Sequence, residues 1–155
     1  MKLLTTLSAA SLLLASGASF ADKTDAISVN YDCEERTCSF QQPIVEGRAV
    51  SWYIVSQTAG NPGLQITSPS GDVLVKTSVF STDLSNKSIG DFTAPETGWY
   101  TFTFTNMNQV ARDQATITNM WGETVSQTFQ FAGEDWTDGD YNDIFAVISW
   151  FKTKG

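Results

Sequence analysis

The clearest pattern along the chain lies in Trp99–Thr105, where Tyr100, Phe102 and Phe104 alternate with Thr101, Thr103 and Thr105. A period of two puts the rings on one face of an extended strand and the hydroxyls on the other. Other β-branched and aromatic runs recur along the chain: Val50–Val55, Gly63–Ser68, Asp72–Thr77, Gln114–Met120, Val125–Phe131 and Ile144–Phe151. Pro69-Ser70-Gly71 reads as the turn between Gly63–Ser68 and Asp72–Thr77. Beyond residue 21 no long stretch repeats apolar residues at helical spacing. Short strands at even intervals with turn residues between them predict an all-β fold, an antiparallel β-sandwich of about nine short strands. Aromatic residues make up 12% of the chain, and core or sheet-face packing is their expected role.

The first residues follow another pattern. Lys2 supplies a positive charge, Leu3–Leu14 a short apolar stretch, and Ser19-Phe20-Ala21 a small-residue cleavage site before Asp22. Residues 1–21 therefore read as a secretory signal peptide, too short in its apolar part to span a bilayer. Residues 22–155 read as a single domain, secreted or periplasmic, with no later segment apolar enough for membrane insertion.

Charge and composition remove several functions. The formal net charge is −8, and losing Lys2 with the leader makes it one unit more negative. That argues against nucleic acid and anionic membrane surfaces as partners. The chain has no His, which removes the commonest general base and zinc ligand. No Gly-rich phosphate loop and no nucleophile elbow occurs. Cys33 and Cys38 are the only cysteines, and an even pair in an exported chain predicts a disulfide around Glu34–Thr37. Free thiols are the alternative. Such a bond would pin a local turn and be redox-inactive. Lying far along the chain from the acidic stretch described next, it is expected to have no bearing on it.

That stretch is Glu134-Asp135-Trp136-Thr137-Asp138-Gly139-Asp140-Tyr141-Asn142-Asp143, with five carboxylates and one carboxamide in ten residues. Carboxylates so close repel one another unless a cation sits among them. Donors that are all oxygen select a hard cation, and calcium accepts six to eight of them in loose geometry. A plain turn accounts for Asp138-Gly139, but not for Glu134, Asp135, Asp140, Asn142 and Asp143 crowding around it. An EF-hand does not fit. Counting from Asp138, the position that needs Gly is Asp143, and the twelfth position, where a carboxylate belongs, is Ser149. The Ile144–Phe151 run that follows reads as a buried strand, not an exiting helix.

The stretch resembles the loop of the calcium-mediated bacterial lectins that bind fucose and mannose. That family carries Glu-Asp-Gly-Thr-Asp-x-Asp-Tyr-Asn-Asp, followed by an apolar strand ending in Trp. This chain matches at Glu134, Asp135, Thr137, Asp138, Asp140, Tyr141, Asn142, Asp143 and Trp150. Gly98–Thr105, Ala115–Asn119 and Val50–Thr67 are more loosely similar. The resemblance implies two calcium ions, one held by Glu134, Asp138, Asp140 and Asp143, the other by Asp140, Asn142 and Asp143. Vicinal sugar hydroxyls would coordinate both ions, and Asp135, Asp138 and Asp143 would accept hydrogen bonds from the sugar. Gln57 stands where the family supplies an Asn ligand to the second ion. Thr58, Ala59 and Gly60 occupy the positions that set sugar preference. Trp136 replaces the family's Gly, either to stack on a sugar face or to pack beneath the loop. Phe151–Gly155 runs about two residues longer past Trp150 than the family's C-terminus, which reaches a partner subunit's calcium site.

The implied function is an exported, calcium-dependent, non-enzymatic carbohydrate-binding protein for a fucose- or mannose-like glycan, as a homodimer or larger assembly. The first alternative is a structural or adhesive β-domain in which calcium only stiffens the loop. A glycosidase using two of the carboxylates ranks last, because carboxylates this dense are better employed as metal ligands.

Overall fold

A computed structural model describes residues 29–153. The signal peptide reading of residues 1–21 lies outside them. Ten strands form: β1 (Val29–Asp32), β2 (Thr37–Ile44), β3 (Ala49–Ser56), β4 (Gly63–Thr67), β5 (Val73–Ser78), β6 (Lys87–Thr93), β7 (Gly98–Thr105), β8 (Gln109–Thr118), β9 (Thr124–Glu134) and β10 (Ile144–Phe151). They make two antiparallel sheets, ordered β1-β8-β9-β10-β3-β6 and β2-β7-β4-β5. The β-sandwich is therefore as the alternation predicts, with one strand more than expected.

Alternation explains the core. Tyr100, Phe102 and Phe104 of β7 are fully buried, and so is Phe129 of β9, with its neighbour Phe131 almost so. The Phe104 and Phe131 rings meet across the two sheets at 4.7 Å. Burying one such ring contributes about 1.5–3 kcal/mol. The Tyr100 hydroxyl donates to the Glu96 carbonyl at 2.7 Å, so its polar tip carries no burial penalty.

Besides the four-residue β1, two strands at sheet edges, β2 and β6, are poorly signalled by the sequence, whereas the edge strand β5 is read as Asp72–Thr77. In β2 the buried positions are Cys38, Phe40, Gln42 and Ile44, and the polar Gln42 with the adjacent Pro43 masks the alternation. An edge strand tolerates Pro43, since its missing N–H has no neighbour to serve. At one edge of the six-stranded sheet, β6 carries Gly90 against the Trp52 ring, which leaves no room for a Cβ. The third departure is in β8, which starts at Gln109, five residues before the apolar run begins at Gln114. Arg112 and Asp113 hide that early half.

Four connections gather at one end of the sandwich. They are the Cys33–Cys38 turn between β1 and β2, the residues after β3, the short turn before β8, and the β9–β10 loop. Register dictates this, because Ile144 pairs with both Ser56 and Gly133, and Gln109 pairs with both Asp32 and Glu134. Among the described residues no helix is long and apolar enough to cross a membrane.

Candidate metal and ligand site

The acidic stretch is the connection of the β9–β10 hairpin. Gly139 and Tyr141 both take positive φ, +73° and +53°, and the chain there folds back over Glu134. The Glu134 residue is 1% exposed and organises the loop. Its Oε1 accepts from the Trp136 N–H at 2.9 Å, and its Oε2 from the N–H groups of Asp140 and Tyr141 at 3.1 and 3.4 Å. Those loop donors would otherwise lack partners. Asp143 Oδ2 accepts from the Asp135 N–H at 2.7 Å, which ties the two ends of the loop together.

Two overlapping acidic groups result, Glu134–Asp138–Asp140 and Glu134–Asp135–Asp143, with oxygens in each within 4.8 Å of one another. Their protonation shows the strain of this crowding. Burial, with the Glu134 and Asp135 carboxyls beside it, pushes the Asp143 carboxyl up to about 7 against the Asp135 N–H. The Glu134 carboxyl, facing Asp138, raises that group above the ordinary carboxylate range. Burial would raise Glu134 too, but the Trp136 N–H and its other donors outweigh it and hold it low. Glu134 is therefore the carboxyl held low, and Asp138 and Asp143 are the ones pushed up. Asn142 donates its carboxamide N–H to Asp140 Oδ2.

A divalent cation fits this donor set. Among the described residues the one ion pair is Lys152–Glu123, at the opposite end of the β9–β10 hairpin from these carboxylates. The Arg36 guanidinium reaches the loop, but it meets the Asp135 carbonyl and not a carboxylate. Among the described residues, then, no side-chain cation pairs with a carboxylate of the cluster.

The segment after β3 lies against this loop. The Gln57 N–H donates to the Asp143 carbonyl at 3.2 Å, while its side chain is exposed and, among the described residues, makes no hydrogen bond to the loop. Thr58 is buried, and its hydroxyl donates to Asp135 Oδ2 at 2.6 Å. Gly60 donates its N–H to Thr58 Oγ1 at 3.0 Å. A Cβ on Gly60 would fall 1.9 Å from Asp135 Oδ2, so only glycine admits that carboxylate. Ala59 is exposed.

Trp136 is 68% exposed, which removes the alternative that it packs beneath the loop. It borders an open cavity of about 390 Å³, lined also by Asp32, Cys33, Asn108, Gln109, Glu134, Thr137 and Gly139. Several of these residues carry no obvious signal in the sequence. The Asn108 side chain donates to the Trp136 carbonyl at 2.8 Å, and the Tyr141 hydroxyl to Gln109 Oε1 at 2.7 Å. Asn106-Met107-Asn108 reads only as a turn until β8 is known to start beside it. The disulfide between Cys33 and Cys38 forms as the pair predicts, with Cα atoms 4.6 Å apart. It is not remote from the acidic loop, because strand pairing carries both to the same end of the sandwich.

No family model matches the chain, and no curated protein matches it. Solved structures do share its fold. The Ralstonia solanacearum high-affinity mannose-binding lectin superposes with a TM-score of 0.55 at 15% identity, over 73% of this chain and 96% of that one. A Chromobacterium violaceum lectin in complex with α-methyl-fucoside gives 0.53 at 13%, over 78% and 100%. The C-terminal domain of a Burkholderia cenocepacia lectin gives 0.56 at 12%, over 81% and 100%. At these identities the likeness is one of fold, and the chain has the fold of these bacterial lectins.

Proposed function

We propose that this protein is an exported, calcium-dependent lectin for glycans of the fucose or mannose type. One observation carries the reading. Five carboxylates meet in two groups that share Glu134, with no side-chain cation paired to them among the described residues, beside a segment whose Thr58 grips one of the five. The fold shared with bacterial lectins, two of them described by the mannose or fucoside they bind, supports it.

In this reading Glu134, Asp138, Asp140 and Asp143 hold one calcium ion. Asp140, Asn142 and Asp143 hold the second, and the Gln57 carboxamide turns in from solvent to join them. Bound calcium supplies positive field and open coordination positions that vicinal hydroxyls can fill. Asp135, Asp138 and Asp143 accept hydrogen bonds from the sugar hydroxyls. Thr58 fixes the Asp135 carboxylate, Gly60 leaves room for it, and Ala59 borders the same site. Trp136 offers its exposed ring to an apolar sugar face. The protein binds and releases glycan without cleaving it. Residues 22–155 form the exported domain, released from the leader at residues 1–21 and assembled as a homodimer or larger.

A glycan array read with calcium and with excess chelator tests the proposal. Fucose- or mannose-terminated glycans should bind with calcium and be lost on chelation. No glycan bound in either condition, with calcium still raising the melting temperature, would leave the ion a purely structural part.

A further inference from the structure

The Cys33–Cys38 turn lies under the acidic loop, and the side chain at its tip spans the gap. Arg36 Nη2 donates to the Asn106 carbonyl at 3.0 Å and to the Asp135 carbonyl at 3.2 Å. The turn that presents it is held on both sides. The Arg36 carbonyl accepts from the Met107 N–H at 3.1 Å, and the Cys33 N–H donates to the Asn108 carbonyl at 2.7 Å. Glu35 and Arg36 take φ of +47° and +60° in succession. Non-glycine residues avoid that conformation unless their surroundings impose it, and here they are the two central residues of a tight hairpin turn, closed by Glu34 and Thr37 exchanging both backbone hydrogen bonds inside the disulfide ring.

We infer that Arg36 is a positioning residue for Asp135, carried into place by the disulfide-closed turn. The contact lies on one particular peptide group. The carbonyl that Arg36 holds belongs to the Asp135–Trp136 peptide, and the N–H of that same peptide is held by Glu134 Oε1. Asp135 is fixed further by its own N–H on Asp143 and its carboxylate on Thr58. Removing Arg36 frees one end of that peptide and lets the Asp135 carboxylate drift, while every proposed calcium ligand keeps its place. The guanidinium's charge separates this role from simple support of the loop. A cation beside the site repels calcium, so deleting it cannot by electrostatics weaken the ion. Its loss should therefore lower sugar affinity alone. The sugar part of the inference rests on the lectin reading; the peptide contact does not.

The test uses the full exported domain with Arg36→Ala and Arg36→Lys. It measures calcium affinity by calorimetry, affinity for methyl fucoside and methyl mannoside at saturating calcium, and amide exchange across residues 134–143. Arg36→Ala should lower sugar affinity roughly tenfold, as expected for one charge-assisted hydrogen bond. It should leave calcium affinity undiminished and speed exchange in the loop. Arg36→Lys, which keeps a cationic point donor, should restore most of the loss. A Cys33→Ser, Cys38→Ser double variant should match Arg36→Ala, and combining the two changes should add little. Loop exchange unchanged in Arg36→Ala would overturn the inference, and so would calcium and sugar affinity falling together. If the unaltered protein binds no sugar, the lectin reading fails, and the exchange result still decides the role of Arg36.

Discussion

Thr58 donates a 2.6 Å hydrogen bond to the Asp135 carboxylate across 77 residues of sequence. This bond joins the segment after β3 to the acidic loop and gives each a fixed partner. Thr58 is buried, so Thr58→Val keeps the shape and removes the donor. The change should cost about 1–2 kcal/mol of stability, typical for a buried hydrogen bond with one partner lost. Thermal melting checks it. A melting temperature equal to that of the unaltered protein would show that the bond contributes nothing.

Gly60→Ala tests the other side of the same carboxylate. The added methyl would fall on Asp135 Oδ2, so the carboxylate must swing away. Sugar affinity should fall or its preference change, with calcium affinity nearly preserved, because neither Thr58 nor Gly60 is a proposed metal ligand. Calorimetry with each ligand separates the two, and unchanged sugar binding would exclude Asp135 from the sugar site.

Calcium should raise the melting temperature, since it offsets carboxylates that otherwise face one another. At about a hundredfold over its dissociation constant a bound ion adds roughly 2.7 kcal/mol. Asp140→Ala and Asp143→Ala should abolish that gain, as each would touch both ions. Glu134→Ala is a different case. Its carboxylate serves three loop N–H groups, so its loss should destabilise the chelated protein as well, by about 1–3 kcal/mol or more. Melts of the three variants in chelator distinguish them. If Glu134→Ala matched the others there, its support of the loop would be disproved.

The metal-free protein should lose stability as pH rises toward neutrality. The Asp143 carboxyl stands near 7 when folded, against an ordinary value of 3.8. Between those values the folded chain binds more protons than the unfolded one, and its stability falls with rising pH. Asp138, also raised, acts in the same direction. Asp83, Glu96 and Glu123 are held low by Ser85, Ser70 and Lys152 respectively, so their opposite contribution is complete once pH passes their ordinary values of 3.8 and 4.5, in the lower part of this window. Calcium must displace the protons, and its affinity should rise over the same range. Stability in chelator should fall between about pH 5 and about pH 7.5, while with saturating calcium it should stay nearly flat, because neither the calcium-bound fold nor the unfolded chain holds those protons there. A chelated protein that gains stability over that interval would refute the assignment, and Asp143→Asn should flatten the slope.

The sandwich was legible because β7, β9 and β10 alternate strongly enough to define both sheets. β1, only four residues long, was not, and neither were the edge strands β2 and β6, where Pro43, Gly90 and polar residues blur a period that the edge strand β5 keeps. The acidic loop announced itself by charge density alone. Its supports did not, since a support is defined by where the strands end. Nothing about Asn108 or Gln109 as residues suggests a loop 25 positions away. Arg36 was least legible of all, inside a disulfide turn whose distance along the sequence hides its closeness in space.

Trp136 is held by its backbone and free at its ring. Its backbone is fixed at both ends, the N–H on Glu134 and the carbonyl on Asn108, while its ring is 68% exposed. A ring so exposed adds little to stability, so Trp136→Ala should shift stability by no more than about 0.5 kcal/mol. The substitution keeps both backbone bonds and removes only the ring, which offers no oxygen to a metal. Calcium affinity should therefore hold. If the ring lies against bound sugar, its fluorescence should change on adding a monosaccharide to the calcium-loaded protein, and affinity should fall in Trp136→Ala. Loss of a sugar–aromatic contact of ordinary strength corresponds to about 0.5–1.5 kcal/mol, or roughly two- to tenfold in affinity. Oligosaccharides should lose more than monosaccharides if the ring meets a second residue across the cavity shared with Asn108 and Gln109. Equal affinities in both proteins for every glycan bound would show that the ring faces solvent only.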